Sequence, residues 1–143
     1  DVDIFVVNNN QRADLLRNEE GNKNHWIEVK LVGGARKVQS PESRVQSLKS
    51  DTGRGTRDSR LSNRDGIGAQ VVVWAGGRRQ VKEVRSGSGY LSQNDLRLHF
   101  GLGSAAEADS VVIRWPGGLV QRVLKVPSNR LLLVREGEGY EAR

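Results

Sequence analysis

Leu96-Arg97-Leu98-His99-Phe100-Gly101-Leu102 places an apolar residue at every second position, with Arg97, His99 and Gly101 between them. Successive side chains of a strand point to opposite faces, so the stretch predicts a half-buried strand whose leucines and phenylalanine face a core. Ile27, Val29 and Leu31 repeat the pattern with Glu28 and Lys30 on the other side, and Val111, Ile113 and Trp115 repeat it again. Val71 to Trp74 and Leu131 to Val134 are continuous apolar runs, expected of more central strands. Val81 and Val84 do not alternate, so the strand from Gln80 to Arg85 is expected either to contain a bulge or to carry apolar groups on both faces. Gly33-Gly34, Gly76-Gly77, Gly117-Gly118 and Pro127-Ser128-Asn129 supply the turns between runs. No helical pattern is of comparable strength. The expected fold class is all-β: an antiparallel β-sandwich or barrel-like fold of about seven strands with one long inserted loop.

A chain of 143 residues, 36% hydrophobic and 28% charged, fits one ordinary domain with a real core. No apolar run approaches the roughly 20 residues that cross a bilayer as a helix. The absence of cysteine excludes disulfides and thiolate metal sites. A net charge of +6 invites a polyanion partner, and much of the excess is local. Between Gly34 and Gly66, eight basic residues (Arg36, Lys37, Arg44, Lys49, Arg54, Arg57, Arg60, Arg64) face four acids (Glu42, Asp51, Asp58, Asp65), a net +4. Those eight form a candidate polyanion surface, with a solvated loop as the simpler role. Ala35 through Ser62 lacks periodicity and apolar mass, which predicts a long mobile loop. Within it Ser40-Pro41-Glu42 offers a helix start reaching Leu48. The loop has no aromatic residue to stack bases, which disfavours nucleic acid.

Arg85-Ser86-Gly87-Ser88-Gly89-Tyr90-Leu91-Ser92 superficially resembles a phosphate cradle. It lacks the following helix and the Gly-Lys-Ser/Thr ending that a cradle needs. Gly87 and Gly89 instead suit a tight turn at positive φ, with Tyr90 and Leu91 packing back on the body. Small polar donors beside an aromatic also make Arg85, Ser86, Ser88, Tyr90, Gln93 and Asn94 the candidate binding surface. A serine hydrolase would need His25 or His99 as base, yet His99 lies on the polar side of its strand and His25 at a strand start. Two histidines without a His-Glu-x-x-His pattern make zinc improbable. Asp65 is expected to accept backbone hydrogen bonds in an Asp-Gly turn, and Asn63, Asp65 and Asp95 are a weaker calcium set. Trp26, Trp74 and Trp115 are expected in the core.

Asn63-Arg64-Asp65-Gly66-Ile67-Gly68-Ala69, then Arg85 through Asp95, His99-Phe100-Gly101-Leu102-Gly103 and Arg114-Trp115-Pro116-Gly117-Gly118 resemble, in that order, the ASPIC/UnbV domain of the cartilage acidic protein type. The resemblance also takes in Asn22 to Val32. Asp1-Val2-Asp3-Ile4-Phe5-Val6-Val7-Asn8 and Asp14-Leu15-Leu16-Arg17-Asn18 look like the tail of an FG-GAP/VCBS propeller repeat. The division implied is a repeat remnant at 1–21 and an ASPIC/UnbV β domain at 22–143 with a basic insertion at 34–62. The resemblance implies a non-enzymatic recognition or adhesion module at the C-terminus of a secreted, periplasmic or cell-surface propeller protein. Its partner would be a protein or glycan, besides the preceding propeller. Asp1 and Asp3 would be the last positions of a calcium loop, an incomplete site; no cofactor is expected in this chain, with calcium in the full-length propeller. Alternatives are polyanion binding through the insertion, or a component of an enediyne-type biosynthetic protein.

Overall fold

The computed structural model describes residues 2–19, 23–34, 62–87 and 89–143. The expected mobile loop, apart from Ser62, and the helix expected within it fall outside the described residues. Among the described residues ten strands form, not about seven: β1 (Ile4–Val6), β2 (Asp14–Leu16), β3 (His25–Val32), β4 (Gln70–Ala75), β5 (Arg78–Glu83), β6 (Leu98–Gly103), β7 (Glu107–Arg114), β8 (Val120–Pro127), β9 (Arg130–Arg135) and β10 (Tyr140–Ala142). The three-residue strands β1, β2 and β10 account for the difference, being too short to show a period. No α-helix occurs among the described residues.

β1 and β2 pair as a separate ribbon, and the other eight strands make two four-stranded sheets, ordered β10-β9-β3-β6 and β5-β4-β7-β8. The arrangement is a sandwich and not a closed barrel. One pairing departs from the antiparallel expectation: β3 and β9 run parallel, from Ile27 opposite Arg130 to Val32 opposite Arg135. These strands are far apart in the chain, so no hairpin dictates their direction.

The inward faces follow the alternation. Ile27, Val29, Leu31, Phe100, Leu132 and Val134 from one sheet meet Val71, Val73, Val111, Ile113, Val123 and Val126 from the other, all nearly inaccessible to water. β4 and β9 are interior strands, as their apolar runs indicated. β5 has no bulge, since its register with β4 is unbroken from Arg78 opposite Ala75 to Glu83 opposite Gln70. It carries apolar groups on both sides: Val81 is exposed outside, and Val84, just past the strand, is buried.

The sandwich has an open seam on each side, and both are bridged by polar side chains. On one side Gln80 Nε2 donates to the Gly101 carbonyl and Lys82 Nζ to the His99 carbonyl, each at 2.6 Å. At the other seam, Gln121 Nε2 donates to the Arg135 carbonyl at 3.0 Å, while its Oε1 accepts from Trp115 Nε1 and from the Gly137 amide.

Glu136 is the one buried charged side chain among the described residues, 5% exposed. Its Oε2 accepts the Gly34 amide at 2.9 Å and the Ser62 amide at 2.8 Å, and its Oε1 accepts the Ser62 hydroxyl at 2.9 Å. One carboxylate thus fastens the chain where it leaves β3 and where it returns. Gly33 lies against the returning strand so closely that a Cβ there would stand 1.9 Å from the Asn63 carbonyl oxygen.

Hydrogen bonds to an ionised acceptor are strong, and donors left buried without a partner are costly. Glu136→Ala is therefore expected to lower the unfolding free energy by about 2–4 kcal/mol in urea titration, with Glu136→Gln losing less. An alanine variant within about 0.5 kcal/mol of the parent would refute the clamp.

Candidate functional site

The connection from Val84 to Arg97 passes from one sheet to the other and contains the glycine-rich segment. Its first root is rigid: Val84 N donates to the Ala69 carbonyl at 2.9 Å, and Gly68 N donates to the Val84 carbonyl at 2.8 Å. Its second root is an ionic knot. Arg97 N and Nε donate to the Asp95 carboxylate at 2.9 and 2.7 Å, and Arg97 NH1 reaches Glu28 Oε2 at 3.0 Å.

Between these roots the chain tightens into the turn Gly89-Tyr90-Leu91-Ser92, closed by an isolated antiparallel bridge between Gly89 and Ser92. A Cβ at Gly89 would stand 2.2 Å from Ser92 Oγ, so a larger residue there would require the Ser92 hydroxyl to swing aside. Gly87 has φ 64°, as expected, and Leu91 is also left-handed, with φ 50°. Tyr90 and Leu91 do not pack back on the sandwich. They are 93% and 90% exposed, because the closure at Gly89 and Ser92 turns the two central side chains away from the body.

The remaining candidates divide by position. Arg85 and Ser86 line a surface cavity of about 430 Å³ with Ile67, Glu83 and Gly87, and Arg85 pairs with Glu83 at 3.1 Å. Gln93 and Asn94 are exposed beyond the turn, and Ser88 lies outside the described residues. The structure therefore brings Arg85 and Ser86 together at the root and sets Tyr90 apart at the tip. Leu91, which sequence reasoning expected to pack inward, joins Tyr90 there.

The polyanion residues Arg36, Lys37, Arg44, Lys49, Arg54, Arg57 and Arg60 lie outside the described residues. Arg64 is exposed beside Asp65 at 3.4 Å. The turn at Gly66 is held not by Asp65 but by Asn63, whose side chain both accepts from the Ile67 amide and donates to the Ile67 carbonyl at 2.9 Å. Asp65 is two residues too close for that bridge. Asp95 is engaged by Arg97, and Asp3 accepts the Asn18 amide at 2.9 Å, while Asp1 lies outside the described residues. Among the described residues no three acidic or histidine side chains form a group that would hold a metal.

His25 Nδ1 sits 3.0 Å from Asn129 Nδ2, tying the Pro127-Ser128-Asn129 turn to the start of β3. Trp115 is in the core as expected, but Trp74 is 43% exposed. Its parity is opposite to that of Val71 and Val73, a signal present in the sequence. Trp26 is half-buried on the outer face, stacked on His99 with ring centres 5.6 Å apart.

The Asp95 carboxyl is held below its ordinary range chiefly by the hydrogen bond from Arg97. Burial pushes the His99 imidazole below its ordinary 6.5, Lys82 pushes the same way, and Glu28 opposes them. His99 Nδ1 is buried without a hydrogen-bond partner, with Glu28 Oε1 3.9 Å away. A depressed folded value means that the unfolded chain binds the proton more readily, so stability present above pH 6.5 is lost as pH falls through the folded value. In an NMR titration His99 is expected to titrate below 6.5, and Glu28→Gln is expected to lower the midpoint further. A midpoint above 6.5, or a rise in the variant, would contradict this account.

The family model described as ASPIC and UnbV matches residues 59–141, a stretch that contains β4 to β9, the whole 84–97 connection and the start of β10. No curated protein and no solved structure matches. The match spans more than half of the chain and includes the ordered glycine and aromatic segments from Asn63 to Gly118, so this chain belongs to the ASPIC and UnbV family.

Proposed function

We propose that this chain is a non-enzymatic recognition or adhesion module, the C-terminal accessory domain of a secreted or surface FG-GAP propeller protein. The observation that carries the reading is the Gly89–Ser92 turn, which holds Tyr90 and Leu91 at least nine-tenths exposed between two anchored roots. A turn whose backbone is already closed has less ordering entropy to lose on binding, which favours its exposed aromatic and aliphatic side chains as interface anchors. A left-handed leucine costs about 1–2 kcal/mol and is worth keeping where the side chain has a use.

The β1–β2 ribbon supports the attachment to a propeller. Ile4, Phe5, Leu15 and Leu16 are each more than half exposed, and an isolated two-stranded ribbon is marginal in water. Added to a larger sheet, those side chains gain the burial that they lack here. Asp3, at the start of this ribbon, is where the resemblance places the end of a calcium loop, so calcium belongs to the complete propeller in this reading.

The test uses the chain against arrays of immobilised extracellular proteins and glycans. The Tyr90→Ala and Leu91→Gly variants are expected to weaken the parent's binding by about ten-fold or more, equivalent to about 1.4 kcal/mol. Leu91→Gly is also expected to stabilise the fold by about 1 kcal/mol, since glycine accepts positive φ without strain. Undiminished binding by the folded variants would remove this turn as the contact surface.

A further inference from the structure

A second site lies away from the Tyr90 turn, where the β4–β5 turn meets the end of β6. The two edge strands part there into a basin of about 700 Å³, within the size range of small-ligand sites. Its ten lining residues include Arg78, Arg79, Gln80 and Ser104 and no acid. Among the described residues neither arginine is paired with a carboxylate. Arg79 is not loose: its guanidinium carbon stands 5.9 Å from the centre of the exposed Trp74 ring, a cation-π contact that holds this charge on the outer face beside the basin.

Apart from Leu102, the rest of the wall is small. They are Gly76, Gly101, Gly103, Ala75 and Ala105, and the glycines have only backbone to present. Gly76 and Gly103 have φ 53° and 63°, a conformation that disfavours larger residues at those two positions. A wall of this kind offers peptide groups to hydroxyls and has no deep apolar hole to seat a peptide side chain. Two guanidiniums match one or two anionic groups, not the long phosphate track on which nucleic-acid affinity depends.

We propose that this basin binds a short acidic saccharide, a sugar bearing carboxylate or sulfate groups. Arg78 holds the anion through charge-assisted hydrogen bonds, Arg79 adds positive charge from the adjoining outer face, and Ser104 and the exposed backbone meet hydroxyls. The site is independent of the Tyr90 turn and stands whether or not that turn is a contact surface.

Calorimetry and amide NMR with three probes test it: trigalacturonate, a heparin-derived sulfated tetrasaccharide and neutral galactotriose. At least one acidic probe is expected to bind and to shift the Gly101 and Gly103 amides, with the neutral sugar ten-fold weaker or more. The acidic probe that binds identifies the anion. R78Q/R79Q and Ser104→Glu, which places a carboxylate at an exposed lining position, are each expected to weaken that binding ten-fold or more with thermal stability retained. Tyr90→Ala is expected to leave it unchanged. Equal binding of the neutral sugar, failure of both acidic probes at millimolar concentration, or affinity that survives both arginine substitutions would overturn the proposal. Equal binding of a poly-glutamate peptide would overturn the saccharide assignment.

Discussion

Two four-stranded sheets packed face to face leave two open sides, and closing those sides is the constraint on which this structure depends. Core valines and leucines cannot do it, because the last strand of each sheet has peptide groups facing the gap. Gln80, Lys82 and Gln121 span it instead, each from a position whose side chain points toward the core layer. This explains why β5 carries Gln80 and Lys82 on the side where β4 carries Val71 and Val73. It also explains why its apolar Val81 is turned outward without any bulge. With Gln80 and Lys82 bound to β6, the 84–97 connection starts and ends on strands held at fixed separation. Its turn is therefore presented by a rigid base.

Glu136 solves a related problem at the other seam. A chain that departs at Gly34 and returns at Ser62 must keep its two ends in register for β3 and β4 to enter different sheets. Loop closure by itself costs only slowly more as a loop lengthens, so a single strong anchor at the neck can hold whatever lies between. The carboxylate provides three acceptor contacts at that neck, and the close approach of Gly33 to Asn63 leaves no room for a side chain between the strands.

The parts of this architecture that depend on alternation were legible in the sequence. Leu98, Phe100 and Leu102 face inward and His99 outward because a strand allows no other parity, and the same rule places Ile27, Val29 and Leu31. Strand direction was not legible, since β3 and β9 carry the same pattern whether parallel or antiparallel. Trp74 shows the limit of reading by residue type: its size argued for the core, yet its register with Arg79 and Ser110 puts it on the outer face. At the candidate site the segment was found by its glycines and aromatic, but the distribution of roles within it was not. Gly89 lies close to the Ser92 hydroxyl, and a left-handed position falls on Leu91; both depend on the closure of the turn.

β3 defines how much of the chain the sandwich needs. It lies before the region that matches the family, yet it occupies an interior place between β9 and β6. Without it those two strands would have no common neighbour, and Ile27 and Val29, both fully buried, would leave a gap opposite Val71 and Val111. β3 also positions both sets of groups beneath the 84–97 connection: Glu28 receives Arg97, and Trp26 stacks on His99. The unit that folds therefore includes His25 to Val32 with the matched region. The charged and aromatic outer face of that strand, not its core face, links the scaffold to the loop that it displays.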